Sequence, residues 1–449
     1  MAHSIKISYS ACHGCVNCIK SCPTEAIRVI AGSITIIKDI CIDCGECLRA
    51  CERKALGLDD DDWDLIRAHG SVDAVPDPTF FSQFGSFWHP YNAKTALAEN
   101  GINLIVDDLE DAFDLSAFAT ARLIDGMSQD QLPLISVYCP SVVRLIQLEY
   151  PELLTRLIPV DNPIDIAAEM WRQRTKSFAP LTLFSPCPAK ITMVRDPVAR
   201  QPSSIQHTVS VKKVVHTLMA SGVKVSSDSS KDSSDSRFFA TWAMRGGESR
   251  HIAKMAKRDL TVIAVSGLRN TMDLLEQLEL GRLRGVDFVE CRTCDLGCFG
   301  GVAVPESRFL AHLKYRNITT NVNVTPEREE EIALIYEKEK LWKRAEPIPS
   351  RQRLPLSNDL GEAMSRLKQM KAIFAELPHI DCGACGRPSC KAMAEDVARE
   401  QGGITDCIFK LREDIASLAG QIISLADLPP NTLKRIQPTK NIKVNAQRG

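Results

Sequence analysis

Sixteen of the seventeen cysteines in this chain fall into four sets of four. Four thiolates at short fixed intervals are what an iron-sulfur cube needs. The most specific eight are Cys12, Cys15, Cys18 and Cys22, followed by Pro23, then Cys41, Cys44, Cys47 and Cys51, two C-x-x-C-x-x-C-x-x-x-C runs. In paired runs of this kind the fourth cysteine ligates the other cluster. The spacing therefore predicts one 4Fe-4S cube on Cys12, Cys15, Cys18 and Cys51 and a second on Cys41, Cys44, Cys47 and Cys22. Zinc and disulfides are the rival readings. Zinc seldom takes eight thiolates at triple spacing, and a disulfide framework suits oxidising compartments. Cys382, Cys385, Cys390 and Cys407 make a third set with C-x-x-C-x(4)-C-x(16)-C spacing. Gly383 and Gly386 let its backbone wrap a cube closely, although four cysteines alone also satisfy tetrahedral zinc.

The last set is scattered, so the elements that carry it decide whether it is a set at all. Leu134 to Tyr138 reads as a buried strand ending at Cys139, with Pro140 opening a helix. Leu181 to Phe184 reads as another, ending at Ser185-Pro186-Cys187-Pro188-Ala189-Lys190, and Val286 to Val289 as a third, leading into Glu290-Cys291-Arg292-Thr293-Cys294 and Gly297-Cys298-Phe299-Gly300-Gly301. Ligands of open α/β sheets gather outside the carboxyl ends of strands. Three such loops can bring Cys139, Cys187, Cys294 and Cys298 to one crevice. The competing reading is four buried inert thiols, which would not need the glycine-rich C-x-x-x-C-x-G-G segment. Cys291 has no assigned partner set. His13, between two ligands, either tunes its cube or is an exposed ring.

At 449 residues the chain has room for several domains. The fold class expected is α/β in an α+β multidomain chain. Its parts are a ferredoxin-like two-cluster unit over 1–58, a two-lobed α/β domain over 59–345, a small mostly helical domain over 346–428 and a disordered tail over 429–449. Asp59, Asp60, Asp61 and Asp62 read as a solvated linker or domain edge. Ser226 to Ser236 reads as a mobile loop, being too polar to bury. Thr325 and Pro326 read as the N-cap and first residue of a charged helix. With 55 Lys+Arg against 56 Asp+Glu, nothing in the charge argues for nucleic acid. No stretch of about 18 apolar residues argues for a membrane span. The expectation is a cytoplasmic chain without nucleic-acid or membrane partners.

The strand-end segments resemble the three signature loops of the iron-only (FeFe) hydrogenases, over essentially residues 1 to 345, and the C-terminal set resembles the single-cluster 4Fe-4S domain of electron-transfer and corrinoid iron-sulfur proteins. The resemblance implies an H-cluster whose cubane is held by Cys139, Cys187, Cys294 and Cys298. Cys298 would bridge to a two-iron subsite bearing CO, cyanide and a dithiolate amine, and Lys190 would donate to a cyanide ligand. It further implies H2 and protons as substrates, three accessory 4Fe-4S clusters, a ferredoxin-like or signalling partner and dedicated maturation proteins. Where the family's producing members carry a proton-transferring cysteine, this chain has Tyr138, a phenol instead of a thiol and a poorer proton carrier at neutral pH. Ser185 and Arg292 stand where methionines would be. Ligands kept and proton path altered resemble the sensory subgroup, which turns over slowly. Glu248, after the Gly246-Gly247 turn, is either a replacement relay or a helix-start residue facing water. The alternative function is an electron-relay or cluster-assembly protein of the same group without the two-iron subsite.

Overall fold

Short runs of isoleucine and valine, suited to a pleated half-buried surface, build the N-terminal unit. The structure is a computed structural model describing residues 3–30, 32–198, 202–225, 238–316 and 324–426, so the 226–236 run and the 429–449 tail lie outside the described residues. β1 (Ile5–Ile7), β2 (Ile27–Ile30), β3 (Ser33–Ile36) and β4 (Leu56–Leu58) form two antiparallel pairs, β1 with β4 and β2 with β3. Two single-turn helices, Asn17–Ser21 and Glu46–Ala50, repeat one another. Each starts from a left-handed residue, Val16 at φ 61° or Gly45 at φ 80°. The Cys22 and Cys51 thiols each accept an N–H from four residues on, Ala26 and Ala55, at 3.2 Å. The doubled cysteine motif is thus a doubled backbone.

Seven more strands follow: β5 (Val72–Pro76), β6 (Ile102–Leu104), β7 (Leu134–Ile135), β8 (Leu181–Ser185), β9 (His207–Ser210), β10 (Val262–Ser266) and β11 (Phe288–Arg292). They form two all-parallel sheets, ordered β6-β5-β8-β9 and β10-β11-β7. Parallel sheets need cover on both faces, which explains why β8 and β11 are buried at every position. The 21-residue helix Val106–Gly126 is buried along most of its length and packs on the helices Pro163–Thr175 and Gly247–Met255. One hydrophobic core runs from Ile5 through both lobes to Ile348.

Two elements differ from expectation. β7 stops at Ile135, because Ser136 turns its hydroxyl to the Tyr138 amide (3.2 Å) and to Glu248, ending the ladder before Tyr138. β11 runs on to Arg292, so Glu290 and Cys291 are strand residues. The acidic run is solvated only in part. Asp60 and Asp61 accept the Ser210 and Thr208 amides (2.9 and 2.7 Å) and pair with Lys213 and Arg195, which also holds Asp59; Asp62 caps the helix Trp63–Ala68. These partners bury the Asp60 side chain, while Asp59 and Asp62 stay exposed. Thr325 caps the helix Pro326–Glu339.

The chain divides into two compact units, Met1–Leu354 and Pro355–Gly449. Residues 346–353 stay with the first: Gln147 Nε2 donates to the Pro349 carbonyl at 2.7 Å and Arg353 pairs with Glu149 at 2.6 Å. In the second, the described elements are mainly the helices Leu360–Glu376, Cys390–Ala398 and Ile408–Ala426, around a small core of Leu377, Met393, Ala394 and Cys407. No helix among the described residues is long and apolar enough to cross a membrane.

Candidate active site

Two of the strand-end loops deliver their cysteine in the same way. Cys139 and Cys187 are the N-cap residues of the helices Pro140–Glu149 and Pro188–Arg195, each with proline in the first turn, so both thiols sit at the positive end of a helix. Cys294 and Cys298 come from the loop after β11, Cys298 opening a 3-10 turn through Gly300. That loop is pinned twice: the Cys298 amide donates to the Ala243 carbonyl at 2.7 Å and the Ala303 amide to the Pro186 carbonyl at 2.9 Å. Gly297, at φ 84°, and Gly301 allow it, since an added Cβ would strike the Ala243 and Pro186 oxygens respectively.

The four thiols line one cavity, with Cys44, Lys190, Arg292 and Thr293 also on its wall. Burial pushes the Cys298 thiol up to about 12 and Cys294 up to about 11, and neighbouring thiols add to it. Such thiols are poor thiolates until a bound cation offsets the charge. Two of the other sets are also drawn together. Cys22, Cys41, Cys44 and Cys47 border one void, and Cys382, Cys385, Cys390 and Cys407 another. Cys18 is pushed up to about 11, by burial first and then by Cys15, with Cys51 also contributing; Cys12 packs partly buried on the same core. All seventeen cysteines are free of disulfides. His13 is exposed and accepts from Arg53 Nε at 3.1 Å. Cys291 is fully buried in the core, where burial raises its pKa.

Around the cavity stands a buried polar set that the cysteine spacing did not announce. Lys190 is ion-paired with Asp77, both side chains being at most 1% exposed. Asp77 also accepts the Thr79 amide and hydroxyl at 2.9 and 2.8 Å. Burial opposes the lysine's charge, but Asp77, Tyr138 and two thiols outweigh it and hold its pKa well above the usual range. Tyr138 lies with the Lys190 ammonium 3.9 Å and the Arg292 guanidinium 4.6 Å from its ring centroid. Its hydroxyl makes no hydrogen bond among the described residues. Burial raises its pKa well above that of an ordinary phenol.

Glu248 does not face water. It is fully buried, accepts the Ser136 hydroxyl at 2.7 Å and pairs with Arg292 at 2.6 Å. Arg292 is also 3.6 Å from Glu290, which in turn accepts the Gly246 and Ser249 amides at 2.8 and 3.0 Å. Two buried carboxylates therefore share one guanidinium. Burial raises the Glu248 pKa, Arg292 pulls it back, Glu290 pushes it up, and the net shift is upward. Ser185 donates to the Cys187 carbonyl at 2.8 Å and shapes that loop.

The N-terminal unit closes the cavity. Arg49 Nη2 lies 3.7 Å from Cys294 Sγ and donates to the Gly300 carbonyl. Asp43, between Cys41 and Cys44, pairs with Arg144 of the helix after Cys139 at 2.6 Å, with both side chains buried. Gly45 sits so close to Val302 that an added Cβ would lie 3.0 Å from its methyl group. Asp77, Ser136, Arg49 and this Asp43–Arg144 pair were not found from sequence; the Asp-Pro step after β5 was the one local signal for Asp77.

A four-thiol void with a buried ammonium on its wall fits a cubane extended by a further polar group. Residues 74–302 match the family described as iron only hydrogenase large subunit, C-terminal domain. Residues 11–56 match a 4Fe-4S dicluster domain and residues 377–409 an Fe-S cluster family. No curated protein matches the chain. Among solved structures, a variant of the FeFe-hydrogenase from Chlamydomonas reinhardtii aligns at 13% identity over 64% of this chain and 96% of its own, with a TM-score of 0.46. A structure concerned with stepwise assembly of the FeFe-hydrogenase H-cluster aligns at 13% identity over 65% of this chain and 94% of its own, with a TM-score of 0.43.

Proposed function

The chain belongs to the iron-only hydrogenase large-subunit family, and from that premise we propose that it activates H2 slowly and uses the reaction to sense H2 or redox state. One observation carries the proposal: four cysteines from three separated segments line a single void with the buried Lys190 on its wall. A plain cubane needs no such lysine. Cys139, Cys187, Cys294 and Cys298 would hold the H-cluster cubane, Cys298 bridging to the two-iron subsite. Bound there, the cluster would supply an open iron for heterolytic H2 cleavage.

The chain's own residues do the rest. An ammonium has three donors; Asp77 takes one from Lys190, leaving two for a cyanide ligand. Tyr138 crowds the position where a proton carrier is wanted. Its pKa is so far above neutrality that the phenol stays protonated, and a proton carrier works best with a pKa near the operating pH. Glu248, whose carboxyl holds its proton more readily than an ordinary glutamate, is the better relay, with Ser136 as its contact toward Tyr138. Cys291 on β11 is a further candidate on this route. The N-terminal cubes, on Cys12, Cys15, Cys18 and Cys51 and on Cys41, Cys44, Cys47 and Cys22, would carry electrons, the second sharing Cys44 with the active-site wall. The third accessory cluster would use Cys382, Cys385, Cys390 and Cys407. Electrons would go to a ferredoxin-like or signalling protein, in the cytoplasm, after loading by maturation proteins.

Infrared spectroscopy of maturated protein tests the reading, because CO and cyanide stretches appear only with the two-iron subsite. A second reading is a relay or assembly protein without that subsite. It is favoured by Lys190 already being held by Asp77, and it expects no such bands. If the bands are present, Tyr138→Cys at matched cluster content should raise H2 turnover several-fold if the rest of a thiol route exists, and Glu248→Gln should lower it about tenfold or more. Wild-type rates equal to those of producing hydrogenases, unmoved by either change, would remove the physical basis for sensing.

Arg49 is the residue through which the electron-carrying unit reaches Cys294. Hydrogen bonds and positive charge at a cluster sulfur raise its potential. Arg49→Gln is therefore expected to lower the cubane potential, on the order of tens of millivolts, in an EPR-monitored redox titration. An unchanged potential would show that the arginine only pins the Gly300 loop.

A further inference from the structure

The helix Ile408–Ala426 starts immediately after Cys407, whose carbonyl accepts the Leu411 amide at 2.9 Å. It then leaves the small core behind: every residue from Leu411 to Ala426 is exposed. Apart from Ile423, 63% exposed beside the row, its exposed large apolar residues are not scattered. Ile408, Leu411, Ile415, Leu418, Ile422 and Leu425 are 38%, 42%, 55%, 57%, 66% and 45% exposed, and their spacing alternates three and four. That is an unbroken a/d heptad seam with isoleucine at every a and leucine at every d. A strict 3.5-residue repeat makes a narrow stripe suited to another helix rather than the broader face that packs on a globular core. β-branched residues at a with leucine at d select two parallel strands.

We propose that this face is an interface between two copies of the chain, closed as a short parallel two-stranded coiled coil. The flanking e and g positions, Arg412, Asp414, Ala419, Gln421 and Ala426, bring one charge of each sign and two small residues, so a second copy meets no ladder of like charges. At roughly 30 Å² per buried methylene, twelve half-exposed aliphatic side chains would bury roughly 800 Å² from the seam alone. That lies in the range of reversible rather than permanent interfaces, so the association should depend on concentration across the micromolar range. Helices in proteins owe most of their stability to packing an apolar face, and pairing supplies the packing that this helix lacks within its own unit. The inference stands apart from the hydrogen chemistry.

Sedimentation velocity of the full-length protein tests it. Wild type should pass from monomer to dimer as concentration rises through the micromolar range. Ile415→Glu and Ile415→Lys should each remain monomeric, because an in-register parallel pair sets residue 415 against its own copy. Mixing the two variants should restore the dimer. Residue 415 being exposed, circular dichroism and thermal unfolding of either variant should match wild type at concentrations where wild type is itself monomeric. A wild-type monomer at every concentration, or a dimer that survives Ile415→Glu, would overturn the proposal. Failure of the mixture to pair would overturn the parallel register, and increased protease cleavage of the Glu variant without any change of mass would place the helix against its own chain instead.

Discussion

Cys298→Ser is expected to abolish hydrogen turnover, by on the order of a thousandfold or more, and to erase the CO and cyanide bands. Serine is nearly isosteric, and what holds the turn is backbone: the residue 298 amide bonded to Ala243 and the Gly297 conformation. The fold should survive. What changes is the ligand, from a soft thiolate to a hard oxygen that iron-sulfur centres take poorly. The two N-terminal cubes use other cysteines and their own void, so their EPR signals should persist. Full activity in this variant would end the hydrogenase reading, and a simultaneous loss of all clusters would mean that Cys298 supports the fold rather than one site.

The second large effect needs no cluster at all. Arg292 lies buried between Glu248 and Glu290. Replacing it by the methionine that the family resemblance places there should destabilise the apo protein by about 3–5 kcal/mol, because removing one partner of a buried pair strands the other. In thermal unfolding that corresponds to a fall on the order of 10 °C. The loss should depend on pH, and the sign follows from Glu248. Its folded pKa is already raised by burial, and without Arg292 it rises further. A carboxyl whose folded pKa exceeds the unfolded value of about 4.3 binds its proton more tightly when folded. It stabilises at low pH and loses that contribution as pH rises through the folded value. Arg292→Met should therefore cost more at pH 8 than at pH 5. Adding Glu248→Gln should recover part of the loss and flatten the pH dependence, since Glu290 keeps its bonds to Gly246 and Ser249. A variant as stable as wild type at pH 8 would mean that the guanidinium is not what compensates these carboxylates.

The cysteine sets were legible because thiolates for a cube recur at fixed local intervals, and because apolar runs ending at Cys139, Cys187 and the Cys294 loop mark strand ends. Both signals are local. The pairs that finish the site are not. Lys190 meets Asp77 across 113 residues and Arg49 meets Gly300 across 251, and no periodicity links such positions. Glu248 illustrates the limit. A carboxylate in the first turn of a helix usually faces water, and only the extension of β11 to Arg292 places a cation opposite it. The run Asp59 to Asp62 misled in part for the same reason: a charge cluster looks solvated until its partners on and beside β9 are known. The length of β7 was misjudged because Ser136 offered the backbone a side-chain bond, and a serine in an apolar run gives no warning of that.

The way Asp43, Arg49 and Gly45 meet the catalytic loops bears on what can be cut or exchanged. Electron-carrying segments are often treated as cartridges, added to an enzyme or removed from it without touching the chemistry. Here Cys44 forms part of the wall of the four-cysteine cavity, and Arg144 finds its buried counter-charge on the N-terminal unit. A chain beginning at Asp59 would not be a smaller edition of this protein. It would lack part of the wall of that cavity, and Arg144 would lose its closest buried counter-charge. Residues between the N-terminal cysteines also enclose the four-cysteine cavity, so the two regions cannot be redesigned separately.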